Sequence, residues 1–295
     1  MRYTFDELMD KAQGEAGGLD APTRPTILKE LLHYDILLAL SRSELNGRLA
    51  FQGGTALRLC YGGQRYSEDL DFTCGAGAEE PFELGDVETL LRHHVAARYG
   101  LGLEVVPPKP GRPSNFGAGV VAVKRWSFNV LVPGFAATQR VHFEVCNVPS
   151  YDVVPTLIQP RYTFLGDVYS DIALRVESLN EILADKVVAL VARDRVKARD
   201  VWDLRWLDQK GMTLDLPLVR RKLGDYRVTD ANGRAATAVE RLRAPTAHSA
   251  FVTEMARFVT PSLGRRLQED PDFARPWLDH ARTVLDQIRP ALEDL

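Results

Sequence analysis

The chain has 295 residues, 45% of them hydrophobic and 26% charged, with a formal net charge of −3. That balance is ordinary for a soluble globular protein and excludes a generic polyanion binder, and no run approaches the 18 apolar residues that would span a bilayer. Cys60, Cys74 and Cys146 are odd in number and lack metal-ligand spacing, and Asp6 and Glu7 stand where a signal peptide needs apolar residues, so a reducing cytoplasm is expected.

Helices are predicted over 5–14 and 26–42, the second with apolar residues at i, i+3 and i+4. Leu49-Ala50-Phe51 reads as a short strand entering Gly53-Gly54-Thr55, followed by a brief helix over 55–61 and a strand over Leu70–Thr73. An amphipathic helix is expected over 83–99 and a strand over 103–106. Pro107 to Gly117, rich in proline and glycine, reads as a loop. Residues 119–132 and 139–148 read as a hairpin-like pair of strands, Pro149 to Gly166 as a linker, and about 180–197 as a helix capped by Ser178 or Asn180. Strands dominate before residue 150 and helices after 178. The expectation is an α/β (α+β) protein with a mixed-sheet lobe over 1–165 and a helical lobe over 166–295.

The chemistry concentrates at Gly53-Gly54-Thr55 and at Asp69-Leu70-Asp71, with thirteen residues between Thr55 and Asp69. In a strand, residues two apart share a face, so Asp69 and Asp71 project together while Leu70 and Phe72 face a core. Two adjacent carboxylates repel unless a cation lies between them, and Mg²⁺ (or Mn²⁺) suits oxygen ligands that leave positions for phosphate. The glycines let backbone approach a ligand, and N–H groups at a helix start can face an anion. A phosphate cradle beside metal-binding carboxylates is the equipment of phosphoryl or nucleotidyl transfer from an NTP. On the strand around Arg140–Cys146, His142, Glu144 and Cys146 share a face, which makes Glu144 the candidate third metal carboxylate or general base. Arg65 is a candidate triphosphate contact, Ser67 a phosphate ligand or strand cap, and Arg58 a structural or surface residue. His93 and His94, without a third ligand, read as surface residues.

A second constellation lies further on. Lys186, Arg193 and Asp200 are spaced by seven and would share a helix face if one helix ran that far. Lys186 and Arg193 would bind NTP phosphates and stabilise the leaving pyrophosphate, while Asp200 and Asp203 orient the cations by salt bridges. Residues 186–243 carry fourteen Lys and Arg against eight Asp and Glu, a local basic excess suited to a polyanionic substrate. Arg220, Arg221, Lys222, Arg241, Arg243, Arg265 and Arg266 are candidate RNA backbone contacts.

Gly53-Gly54-Thr55-Ala56-Leu57, Arg65-x-Ser67-Glu68-Asp69-Leu70-Asp71-Phe72, Lys186 and Arg199-Asp200-x-x-Asp203-Leu204 together resemble the AbiEii/AbiGii nucleotidyltransferase toxins, which include the MenT toxins. The resemblance covers roughly residues 25–210. It implies a polymerase-beta-like nucleotidyltransferase lobe with Asp69, Asp71, Glu144, Lys186 and Asp200 as catalytic residues. It also implies nucleotide binding by Gly53, Gly54, Thr55, Arg65, Ser67, Lys186 and Arg193. The implied activity is Mg²⁺-dependent transfer of a nucleotide from an NTP to an RNA 3′ hydroxyl, that of tRNA foremost, with growth arrest relieved by a cognate antitoxin protein and no membrane partner. Transfer to a protein or small molecule, or a nucleotide-binding regulator without turnover, are the alternatives.

Overall fold

The computed structural model describes residues 4–75, 85–108, 123–132 and 138–293. Among these, 4–177 make one compact unit and 178–293 a second.

The first unit runs α1 (Phe5–Glu15), α2 (Arg24–Ser41), β1 (Ala50–Gln52), α3 (Gly53–Tyr61), β2 (Leu70–Thr73), α4 (Gly85–Tyr99), β3 (Leu103–Val106), β4 (Val123–Val130), β5 (Gln139–Cys146), β6 (Val153–Leu157), α5 (Gly166–Tyr169) and β7 (Ala173–Glu177). The seven strands form one mixed sheet in the order β3-β4-β5-β2-β1-β7-β6. β2 lies near the middle, antiparallel to β1 and parallel to β5. Its inward residues Leu70 and Phe72 are buried, and Phe72 stacks between Phe51 and Phe143 at centroid separations of 5.0 and 4.6 Å. Burying each such ring is worth about 1.5–3 kcal/mol.

The predicted strands and helices of this unit that fall on described residues lie close to their expected places, with two differences. The stretch read as a linker contains β6, whose Pro155 hid it. Proline is tolerated there because β6 is an edge strand and needs no outward donor. The expected lobe boundary at 165 lies inside the first unit, since β7 pairs with β1 and β6. The predicted loop from Pro107 to Gly117 and the strand segment 119–122 lie largely outside the described residues.

α2 is buried on nearly every side rather than amphipathic, with every residue from Leu31 to Leu40 inaccessible. Its polar residues are therefore all accommodated internally. Asp35, fully buried, accepts from Tyr99 Oη at 2.7 Å, from Tyr169 Oη, from Arg98 Nη1 at 3.2 Å and from His94 Nε2 at 2.8 Å. His94, read as a surface residue, thus helps tie α4 to α2, a pairing across 59 positions that no local pattern reveals.

The second unit is helical: α6 (Leu179–Ala192), α7 (Ala198–Gln209), α8 (Leu216–Asp225), α9 (Ala231–Arg243), α10 (Ala247–Met255), α11 (Pro261–Glu269) and α12 (Arg275–Ile288). Ser178 caps α6, accepting from the Glu181 N–H at 3.2 Å. The helix does not continue through Arg193 to Lys197 as expected. Arg193 is extended, and Arg234 of α9 donates to the last carbonyls, Val191 O at 3.2 Å and Ala192 O. A side-chain cation at a helix C-terminus both satisfies orphan carbonyls and meets the negative end of the dipole. α6 is the buried axis of this unit, and the stacked rings of Trp202 and Trp277, 4.9 Å apart, join α7 to α12.

Asp35→Ala would leave two buried tyrosine hydroxyls, a guanidinium and an imidazole without their shared acceptor. The variant is expected to lose about 3–5 kcal/mol of stability in urea unfolding.

Candidate active site

Asp69 and Asp71 are both half-buried, flanked by the buried Leu70 and Phe72. Strand alternation places the two carboxylates on the sheet face opposite the phenylalanine stack. Register extends that face across neighbouring strands: Gln52 of β1 lies beside Asp71, Asp71 beside Glu144 of β5, and Glu144 beside Arg125 of β4. The structure therefore brings Glu144 alongside the pair. Its Oε1 accepts from Arg125 Nε at 2.6 Å, so it is held toward β4.

The glycine turn lies against this strand. Gly53 has a φ of +76°, and a Cβ there would come within 2.8 Å of Asp71 Oδ2. Only glycine permits both the backbone conformation and the approach. A Cβ at Gly54 would overlap the guanidinium of Arg65, which is itself buried and donates to Tyr66 O at 3.0 Å. Arg65 and Ser67 are both buried, Arg65 against Gly54 of the turn. Thr55 is buried too, and its hydroxyl donates to the backbone carbonyl of Asp69 at 2.5 Å. Gln52, at the start of α3, makes no side-chain hydrogen bond to the helix, and N–H groups at such a helix start are able to face an anion. Arg58, one turn on, is internal: it pairs with buried Glu30 and lies 3.8 Å from the Tyr66 ring. Burial would lower its pKa, but the Glu30 carboxylate outweighs this and raises it.

The donor set fits a hard divalent ion. Two half-exposed carboxylates on one face give oxygen ligands and leave other positions to water or phosphate, the mode of binding that Mg²⁺ prefers. Among the described residues no three His, Cys, Asp or Glu side chains converge on one metal position, and Glu144 is the neighbour of Asp71 in register.

In the second unit, Lys186 is buried on α6 and reaches two acids of α7, Asp200 at 3.1 Å and Asp203 at 2.8 Å. Arg193 also pairs with Asp200. The break between α6 and α7 achieves what a continuous helix could not: it folds Asp200 and Asp203 back over Lys186. Burial alone would raise the Asp200 carboxyl, but Arg193 and Lys186 outweigh it and hold the group well below the usual carboxylate range. Several candidate RNA contacts are also engaged within the unit. Lys222 is buried between Glu181 and Asp185, 2.7 Å from each; Arg220 donates to Ala291 O; Arg241 donates to Arg193 O at 3.3 Å; and Arg266 lies over the Phe273 ring. Arg221 and Arg265 are exposed, and Arg243 pairs with Glu240 and Asp286 on the surface.

Two contacts had no sequence signal. On α2, Lys29 pairs with Glu68 at 2.9 Å, and buried His33 donates from Nε2 to Glu68 O at 3.2 Å. Desolvation lowers the His33 pKa, which keeps the imidazole neutral.

A family model described as "Nucleotidyl transferase AbiEii toxin, Type IV TA system" matches residues 35–292. This match defines the class as a nucleotidyltransferase. The chain belongs to the AbiEii family of nucleotidyltransferase toxins of type IV toxin–antitoxin systems. The family uses an NTP and a divalent metal and acts with an antitoxin partner. The match extends well beyond residue 210, so the later helices are part of the family's domain. MenT4, the nucleotidyltransferase toxin Rv2826c from Mycobacterium tuberculosis H37Rv, superposes with a TM-score of 0.50 at 21% identity, over 97% of this chain and 98% of that one. JHP933 from Helicobacter pylori does so with a TM-score of 0.50 at 18% identity, over 92% and 95%. At these identities the likeness is one of fold. No curated protein sequence matches. No helix among the described residues is long and apolar enough to cross a membrane.

A carboxylate with a lowered folded-state pKa adds stability above its unfolded value of about 3.9, and that contribution is lost as pH falls toward the folded value. Asp200→Asn is expected to cost about 3 kcal/mol at pH 7 by leaving Lys186 and Arg193 short of a partner. Urea unfolding should show the gap from wild type narrowing below about pH 4.

Proposed function

We propose that this chain is a Mg²⁺-dependent toxin that transfers a nucleoside monophosphate from an NTP to the 3′ hydroxyl of an RNA, the acceptor end of tRNA, and so arrests translation and growth in the cytoplasm until its antitoxin intervenes. The observation that carries the reading is the contact of the Gly53 turn with the Asp71 carboxylate, which sets an anion-facing helix start against a pair of metal-binding acids.

When bound, a divalent ion supplies charge neutralisation and a grip on phosphate oxygens. Asp69 and Asp71 would hold it. The N–H groups at the start of α3 receive the phosphates, with Arg65 supporting the turn and Ser67 in the segment that follows. Within the second unit, Asp200 and Asp203 hold Lys186, and Asp200 also holds Arg193. The RNA 3′ oxygen attacks the α-phosphorus, the bond to the bridging oxygen breaks, and pyrophosphate leaves. Glu144, beside Asp71 and steadied by Arg125, is the proposed acceptor of the hydroxyl proton. The exposed arginines Arg221 and Arg265 support a polyanionic acceptor.

Incubating the protein with Mg²⁺, total tRNA and each α-³²P-labelled NTP in turn tests this. Label is expected on tRNA, and Asp69→Ala should reduce it by about 10²-fold or more, the scale of losing one electrostatic group from an active site. Label on protein, with none on tRNA, would reassign the acceptor.

A further inference from the structure

The two carboxylates are not held by the same means. Asp71 lies within β2, in register with Gln52 on one side and Glu144 on the other, so ladder hydrogen bonds on both edges fix its backbone. Asp69 lies just ahead of the strand, outside its register with β1 and β5. Instead, the peptide before its Cα is anchored by His33, which donates to Glu68 O at 3.2 Å, and the peptide after it by Thr55, which donates to Asp69 O at 2.5 Å. Peptide units are planar, so fixing the planes on both sides of one Cα fixes its φ and ψ and hence the direction of its side chain. Both donors are nearly inaccessible and come from helices that are themselves locked together by the Glu30–Arg58 pair. Lys29, one turn before His33 on α2, adds a third hold through the Glu68 carboxylate at 2.9 Å.

We propose that His33 and Thr55 are positioning residues that aim the Asp69 carboxylate at the metal, acting through the two peptide groups that flank it. On this assignment the Thr55 hydroxyl serves the protein backbone, and only its N–H serves the nucleotide. The proposal rests on the reading of Asp69 and Asp71 as metal holders. Groups that orient a metal ligand without touching the metal change affinity by roughly 10–100-fold when removed.

The test measures Mn²⁺ binding by electron paramagnetic resonance, in the presence of a non-hydrolysable NTP analogue, for Thr55→Val, Thr55→Ser, His33→Leu, Asp69→Asn and Asp71→Asn. Thermal unfolding of each is followed in parallel. Thr55→Val is close to isosteric and should weaken Mn²⁺ binding by about tenfold or more while still unfolding cooperatively. Thr55→Ser restores the hydroxyl and should bind within about twofold of wild type. His33→Leu should behave as Thr55→Val; if it fails to fold, the Thr55 pair decides. Wild-type Mn²⁺ affinity in Thr55→Val, alongside lost affinity in the two aspartate variants, would overturn the positioning role alone. Unchanged affinity in Asp69→Asn and Asp71→Asn would overturn the metal reading beneath it.

Discussion

Two negative charges kept side by side, one on β2 and one just ahead of it, are the constraint around which the first unit is built. Left to themselves the carboxylates would turn apart or take up a proton. Here the strand cannot move. Its other face is bonded into a row of stacked phenylalanines, its edges are paired to β1 and β5, and the segment before it is gripped from two helices. The energy that holds the acids in place comes from apolar burial on the far side of the same sheet. The carboxylates are thus held by packing and hydrogen bonds that need no ligand, as an electrostatic site requires if no reorganisation is to be spent at the moment of reaction.

The second unit solves a different problem, that of burying a lysine together with its acidic partners. Lys186 sits in an apolar helix but meets two acids, one of them shared with Arg193. Lys222 repeats the arrangement with Glu181 and Asp185 on the same helix. Buried ion pairs of this kind give little net stability compared with apolar packing, since desolvation offsets most of the attraction. Their value lies in geometry: each cation is directed by partners on another element. This also explains why a strongly basic segment need not be a basic surface, because much of its charge is turned inward.

Much of this was legible from residue order. The glycine turn, the paired aspartates and the alternation that puts Glu144 on their face are local patterns, and local patterns survive folding. The strand register merely adds which neighbours they meet. Pro155 misled because proline argues against a strand unless the strand is known to be an edge, and edges are a property of the whole sheet. The α6–α7 break carries no glycine or proline; it is set by arginines of α9, some forty residues later in the chain. Asp35, His33 and His94 were invisible for the same reason. A polar residue inside an apolar helix gives no sign of which distant hydroxyl or carbonyl will satisfy it.

The edge strand β6 has a consequence for the protein as an object in a crowded solution. An open sheet edge offers unpaired donors and acceptors to any other extended chain and is a template for aggregation. Pro155 stands on that edge with no N–H to give, in a strand of only five residues. The open side of the sheet is thereby blunted by the same residue that obscures the strand in the sequence, and a protein with a seven-stranded sheet is protected there from recruiting its own copies.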